Sequence, residues 1–467
     1  MKRQNPRRIR IAIAAFFMLL TIACFVAGNE QFAQLMSMQP GALLIRAVAG
    51  LDALSIVLGI ALLMLTLLFG RFFCAAVCPL GILQDVLGVL GKKRNRSVKM
   101  GNYKVFRYTI LALSLVLLAG GWAILLRFLD PFSRFGGMLA GTVRFIDGEA
   151  PSSVAPFLVG ALLPFACLAA LVVWKRRVYC VEICPIGTML GLFSRYGVWQ
   201  MRMNRSCTAC GRCEQVCPAG CIESRERKVD NERCVRCMNC LAQCPGEGIS
   251  LSRRPEKELI PNSPVDPSRR TFIAKGAAFT LGAVTAGHFL GAPIRSFARA
   301  NRTMEGAVLP PGAMSTERFM AICTSCQLCT LNCPSGVIQP SPYALGPVHL
   351  EFDHGACHHD CSRCNAICPS GALQPMTLED KQWLKIGEAF CEDSKCRAIK
   401  ENVACYICSK ICPKGAIFMR EATNGLEVPE VSAFHCIGCG ACQSVCPMTP
   451  KAITVTGVEQ SVMGFGS

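Results

Sequence analysis

Apolar residues gather into four long runs near 9–28, 53–70, 106–126 and 153–174. Each approaches the ~20 residues a helix needs to cross hydrocarbon, so the pattern predicts four membrane-spanning helices. Downstream the pattern changes. Residues 200–252 read as a small soluble module, and Pro255, Pro261, Pro264 and Pro267 make 253–270 a linker by breaking any regular element there. The expected layout is a four-span membrane domain over 1–199, a two-cluster module over 200–252, a linker and export or anchor segment over 253–300, and a four-cluster domain over 301–467.

Charge orients the spans. Lys2, Arg3, Arg7, Arg8 and Arg10 place the N-terminus inside, and Lys175, Arg176 and Arg177 close the fourth run on that side. Between the second and third runs lie Arg71, Lys92, Lys93, Arg94, Arg96, Lys99, Lys104 and Arg107, with Asp85 the one acid, as in a cytoplasmic loop. The loops near 29–52 and 127–152 are then outside. Composition agrees, with 52% hydrophobic and 17% charged residues and a mean hydropathy of +0.37. The net charge of +18 does not indicate nucleic acid, because residues 301–467 hold 12 Lys/Arg against 15 Asp/Glu and the surplus lies among the apolar runs. No basic face interleaved with aromatics accompanies it.

The 32 cysteines decide the chemistry. A disulfide framework is usually short and irregularly spaced, whereas most of these fall in quartets that end in Cys-Pro. The spacing C-x2-C-x2-C-x3-C-P is the bacterial ferredoxin run, whose fourth cysteine serves the other cluster of a pair. In 200–252 it pairs Cys207, Cys210 and Cys213 with Cys244, and Cys234, Cys237 and Cys240 with Cys217. Over 323–446 it pairs Cys323, Cys326 and Cys329 with Cys368, and Cys357, Cys361 and Cys364 with Cys333, the latter run opening with x3. Cys436, Cys439 and Cys442 take Cys412, while Cys405 and Cys408 share a cluster with Cys446 and Cys396, chosen over Cys391. Six [4Fe-4S] clusters are expected. Four-thiolate zinc is the rival, and the Cys-Pro exit with reciprocal pairing favours iron and sulfur.

The segments beginning Pro218, Pro334, Pro369 and Pro413 each read as a turn entering a short strand. Cys221, Cys24 and Cys167 read as small buried hydrophobes. Two further pairs, Cys74/Cys78 and Cys180/Cys184, stand as C-x3-C-P at the inner ends of the second and fourth runs. An i,i+4 spacing puts both sulfurs of a pair on one side of a helical turn. They are candidates for one four-thiolate site, a redox dithiol couple or reduced structural cysteines.

Ser268-Arg269-Arg270-Thr271-Phe272-Ile273-Ala274-Lys275, followed by small apolar residues to Pro293, is a twin-arginine pattern, with a fifth span as the alternative. Clusters hold their domain folded before export, which calls for a folded-protein exporter. Ala298-Arg299-Ala300 resembles a cleavage site.

With these motifs in view, the chain resembles the iron–sulfur quinol-dehydrogenase subunits of periplasmic nitrate reductase systems. Residues 1–252 look like the NapH membrane type and 268–467 like the exported NapG type. The resemblance implies that membrane quinol is oxidised and that electrons pass to a periplasmic reductase or cytochrome, from a multi-pass protein of the bacterial inner membrane. Fusion into one chain departs from the separate-subunit arrangement and leaves the acceptor open. Related C-x3-C-P ferredoxins occur in nitrous-oxide and methylamine systems and in cytochrome-oxidase assembly, so an assembly or metal-reduction factor is the alternative function.

None of the six histidines, His288, His349, His354, His358, His359 and His435, lies in the four runs, which excludes histidine-ligated haem there. No C-x-x-C-H or G-x-G-x-x-G entering a helix points to attached haem or a dinucleotide. Glu30, Asp52, Asp130 and Asp147 are candidates for quinol protons near the outer interface. The layout puts two clusters inside and four outside, or all six inside if the last domain is not exported.

Overall fold

Where they are described, the apolar runs are largely helical. In a computed structural model the described residues are 5–27, 34–48, 53–90, 103–120, 124–146, 162–253, 306–340, 347–353, 355–422 and 425–463. The chain divides into two compact units. The first takes Met1–Ala23, Met38–Leu139 and Gly160–Arg295, and the second Cys24–Ser37, Ala140–Val159 and Ser296–Ser467.

The helices of the N-terminal part are α1 (Asn5–Ala27), α2 (Pro40–Val48), α3 (Ala53–Phe69), α4 (Phe72–Ala76), α5 (Pro79–Leu90), α6 (Lys104–Ala119), α7 (Ile124–Leu129), α8 (Pro131–Ile146), α9 (Leu163–Lys175) and α10 (Pro185–Arg195). Among the described residues one helix, Pro6–Ala27, is long and apolar enough to cross a membrane, and Ala53–Phe69, Pro79–Val89 and Leu163–Val173 are shorter apolar helices. Burial in α3 is inverted. Its buried residues are Ser55 and Thr66, while Leu54, Ile56, Val57, Ile60, Met64 and Leu65 are exposed. Thr66 Oγ1 donates to the Leu62 carbonyl 2.8 Å away, so the buried hydroxyl is satisfied within the helix. Cys78, Leu80, Phe135, Met138, Leu168 and Val172 form a core between α5, α8 and α9.

The strand-bearing part of the first unit begins at β1 (Trp199–Met203) and ends at β4 (Ile249–Arg253), with β2 (Ile222–Glu223) and β3 (Lys228–Val229) between them. β1 and β4 pair antiparallel from Trp199↔Arg253 to Met203↔Ile249, and β2 pairs with β3. Both cysteine runs are thus closed between the paired ends of one segment. In the second unit β5 (Ile338–Gln339) pairs β6 (His349–Leu350), β7 (Leu384–Cys391) pairs β10 (Ile453–Met463), and β8 (Ile417–Glu421) pairs β9 (Glu427–Val431).

Three of the four expected turn-to-strand segments enter β2, β5 and β8. The fourth, after Cys368, is not a strand. Arg318 takes the Gly371 and Ala372 carbonyls at 2.8 Å each, and Leu373 N–H donates to Cys368 Sγ at 3.4 Å. The groups a ladder would use are already engaged. The linker from 254, the twin-arginine segment and the Ala298–Ala300 site lie outside the described residues, as do Glu30, Asp52, Asp147, His288 and His354.

Candidate iron–sulfur sites

The four regular cysteine runs share a backbone device that spacing alone does not reveal. Each second cysteine is bracketed by left-handed residues: Ala209 and Gly211 around Cys210, Arg236 and Met238 around Cys237, Ser325 and Gln327 around Cys326, Gly438 and Gly440 around Cys439, all with φ between 52° and 79°. Five of these eight carry no glycine, and L-residues adopt this region at a cost of roughly 1–2 kcal/mol each. Successive N–H groups in such a turn face inward as a concave set of donors suited to an anion. The cysteine that follows opens a short helix, α11 (Arg212–Gln215), α12 (Asn239–Gln243), α13 (Leu328–Leu331) and α14 (Ala441–Val445) respectively. The two irregular runs lack the device. Ser362 before Cys364 has φ −123° and Tyr406 before Cys408 has φ −120°.

The residues present fit cysteine-held clusters. In the first unit a cavity of about 360 Å³, counted out to its mouth, is lined by Cys217, Cys234, Cys237 and Cys240, with Cys221, Met201, Ile222 and Arg236 also on its wall. In the second unit a cavity of the same size is lined by Cys412, Cys436, Cys439 and Cys442. Each set joins three cysteines of one run to the last cysteine of another. In the first cavity burial pushes the Cys237 thiol up to about 12, while a hydrogen bond with Cys221 and the nearby Arg236 charge hold Cys234 down at about 6. Among the described residues no three His, Cys, Asp or Glu side chains stand at the spacing of a single metal ion.

The other sets are drawn together as follows. Cys213 lies in electrostatic reach of Cys207, while Cys210 is exposed; Gly248, just past Cys244, packs so closely on Cys207 that a Cβ would come within 2.6 Å of its Cα. Cys329 is in reach of Cys323, Cys326, Cys368 and also Cys364. Cys364 is in reach of Cys357, Cys333 and Cys361. Cys391 neighbours Cys396, Cys408 and Cys446, and Cys408 neighbours Cys405 and Cys396, so both Cys391 and Cys396 stand at that site. Cys357 N–H donates to the Cys439 carbonyl at 2.9 Å, which ties two sets of the second unit directly.

Sequence reasoning missed the buried cations. Lys381, in a helix over Leu378–Trp383, is 5% exposed and its ammonium donates to the His358 and Cys361 carbonyls. It lowers the Cys357 and Cys364 thiols against the opposing effect of burial. No motif marks it. His358 contributes its carbonyl here. In the first unit Arg236 is 1% exposed, donates to the Trp199 carbonyl at 2.7 Å and leaves Nε and Nη1 without a hydrogen-bond partner at the cavity wall. Arg107 pairs with Glu232 at 2.7 Å and lies 3.7 Å from Glu182, while Arg233 lies 3.5 Å from Glu182. Arg71 adds a bond to the Glu232 carbonyl at 3.1 Å. This ion network welds the Cys234 run to α6 and to the start of α4 within the first unit.

Cys74, Cys78, Cys180 and Cys184, paired only by motif in the sequence, converge. All four are buried, and Cys78 is in electrostatic reach of the other three. Neither pair lies on one helical turn as expected. Cys74 is in α4 and Cys180 in a π-helical turn over Tyr179–Ile183, whereas Cys78 and Cys184 sit in the breaks before Pro79 and Pro185. Cys221 is buried with its sulfur 3.6 Å from that of Cys217, and Cys24 is buried, but Cys167 is exposed on α9. Asp130, a candidate proton carrier, caps α8: Ser133 N and Oγ both donate to its carboxylate at 2.8 Å.

A 4Fe-4S binding domain family matches residues 51–97 and 155–204. 4Fe-4S dicluster domain families match 200–256, 322–373 and 403–449. The chain carries several ferredoxin-type [4Fe-4S] domains. It is similar to YccM of Escherichia coli, at 27% identity over 202 residues, 41% of this chain and 54% of YccM. The methylamine utilization ferredoxin-type protein MauM of Methylobacillus flagellatus is 29% identical over 214 residues, 44% of this chain and 89% of MauM. The ferredoxin-type protein NapH of Escherichia coli is 24% identical over 193 residues, 39% of this chain and 62% of NapH. The chain thus spans about half of YccM and under two thirds of NapH. No solved structure matches.

Proposed function

We propose that this chain is a multi-pass protein of the bacterial inner membrane that takes electrons from membrane quinol and passes them through six [4Fe-4S] clusters to a periplasmic reductase or cytochrome. The observation that carries this reading is the cavity in each unit lined by three cysteines of one run and the fourth of another. Three dicluster matches support the count of six. The exposed apolar face of α3, over a buried Ser55 and Thr66, supports lipid contact there. Pro6–Ala27 is long and apolar enough for one span, and the shorter apolar helices Ala53–Phe69 and Leu163–Val173 fall in two more of the four apolar runs.

A [4Fe-4S] group, when bound, supplies one-electron chemistry. The protein's own residues hold and tune it: cysteine thiolates as ligands, left-handed N–H turns and Arg236 or Lys381 as positive surroundings, and apolar walls that exclude water. In the second unit the sets follow one another through Cys329 beside Cys364, Cys357 bonded to Cys439, and Cys442 beside Cys408. That order supports a single file of four centres. A periplasmic place for 301–467 is supported by Asn332, which donates to the Phe25 carbonyl at 3.3 Å, and by Arg144, which donates to Gln339 at 2.6 Å. Phe25 lies near the outer end of the first apolar run, and Arg144 lies in the 127–152 loop that the charge pattern puts outside.

The test uses cluster-replete full-length protein in detergent and a quinol of sufficiently low potential. Cluster absorbance bleaches if the reading is right; no bleaching under conditions where dithionite reduces the protein sinks it. Protease accessibility of 301–467 in intact spheroplasts checks the side. The convergence of Cys74, Cys78, Cys180 and Cys184 favours a second reading, an assembly or metal-reduction factor, in which Cys78→Ser abolishes maturation of a partner enzyme but leaves quinol-driven reduction intact.

A further inference from the structure

The two C-x3-C-P segments are two copies of a longer pattern. Arg71-x2-Cys74-x3-Cys78-Pro79-x-Gly81 matches Arg177-x2-Cys180-x3-Cys184-Pro185-x-Gly187 position for position. Each copy turns back on itself at the second cysteine, where proline starts the next helix with a φ already suited to it. The glycine makes the close return: a Cβ at Gly81 would strike the Cys74 carbonyl oxygen, and one at Gly187 the Cys180 carbonyl oxygen. Sulfur is engaged in the second copy, where Gly187 N–H donates to Cys184 Sγ at 3.3 Å and Gln84 Nε2 to Cys180 Sγ at 3.0 Å.

The copies are then latched crosswise. Arg71 of the first donates to the Cys180 carbonyl of the second at 2.7 Å, and Arg177 of the second to the Cys74 carbonyl of the first at 2.9 Å. Both guanidinium groups are fully buried, and the four cysteines are 2–5% exposed. Arg177 also holds Asp85, which Arg10 shares at 2.6 Å. Other buried charges stand close by: Glu182 lies in the turn between Cys180 and Cys184 and faces Arg107 and Arg233, and the Asp130 charge reaches Cys184.

We propose that Cys74, Cys78, Cys180 and Cys184 hold one further iron–sulfur cluster, two thiolates from each copy, so that neither copy forms the site alone. Its neighbour is the cavity of Cys217, Cys234, Cys237 and Cys240. Arg177 N–H bonds the Pro218 carbonyl at 3.3 Å, and the Arg177 charge reaches both Cys180 and Cys237. One electron passing between the two centres oxidises one as it reduces the other, with no bond made and no proton moved. A lone zinc would draw four sulfurs to about 3.8 Å of one another, given zinc–sulfur bonds of about 2.3 Å. Among the described residues no such trio is drawn together.

The test is metal and acid-labile sulfide analysis of anaerobically purified full-length protein, wild type beside Cys74→Ser, Cys180→Ser and the double variant. The wild type should contain one cluster more than six account for. Each single variant should lose that same amount, and the double no more than either, while the ferredoxin-type EPR signals stay. Wild-type iron and sulfide that stop at six clusters overturn the proposal without any variant having to fold. Zinc or copper at the site, or additive losses in the double, overturn it too. A failure of quinol to reduce the protein would leave this count untouched.

Discussion

The Cys234 run of the first unit and the Cys357 run of the second present the same three thiols in different surroundings. The first is regular, with Arg236 and Met238 left-handed around Cys237, and it is braced by the buried pairs of Arg107, Glu182, Glu232 and Arg233. The second opens with one extra residue, has ordinary backbone at Ser362, and is closed by the Lys381 ammonium on the His358 and Cys361 carbonyls. The ion pairs seen on the second unit, such as Arg397 with Glu401 at 2.8 Å and Arg420 with Asp393, are exposed. The difference teaches that a cluster loop can be kept in place either by strained backbone with buried ion pairs or by one buried cation that gathers loose carbonyls.

The largest break in the comparison is Arg107→Leu, which leaves Glu232 and Glu182 buried without their shared cation. Removing one partner of a buried pair costs about 3–5 kcal/mol. Thermal unfolding of the detergent-solubilised chain should show the clusters of the first unit lost at lower temperature, with those of the second unchanged. The exposed pair is the control, since Arg420→Ala should cost no more than ~1 kcal/mol.

Next in size is Lys381→Met, which keeps the length of the side chain and removes its charge. A unit charge several ångströms from a cluster at an effective dielectric near 20 contributes on the order of 2 kcal/mol, or roughly 50–100 mV for one electron. The reduction potential of the Cys357 site should become more negative by that amount in an EPR-monitored titration, with the Cys234 site unmoved. Equal shifts at both sites would remove the distinction drawn here.

The smallest effect separates regular from irregular backbone. Ala209 is exposed at φ 52°, so Ala209→Gly should stabilise its module by about 0.5–1 kcal/mol as the left-handed strain is relieved. Ser362→Gly, at an ordinary φ, should be neutral or destabilise by a few tenths of a kcal/mol. Chemical denaturation of the two variants under anaerobic conditions reads both.

Cysteine spacing and apolar run length were legible because each is a local property: a cubane needs three thiols on one tight loop, and a lipid-facing helix needs uninterrupted apolar residues. The cysteine that closes each run, such as Cys217 and Cys412, was legible as well, since Cys-Pro marks the end of regular and irregular runs alike. The sequence by itself could state that Cys74, Cys78, Cys180 and Cys184 form two like pairs, but two pairs more than a hundred residues apart meet only if the intervening helices pack that way. Tertiary structure alone decided that convergence, and it also decided that Arg71 and Arg177 cross between copies and that Lys381 turns inward to the Cys357 loop. A charge takes its meaning from what surrounds it after folding: the same lysine is a solvated surface group in an open chain and a determinant of redox potential when water is taken away.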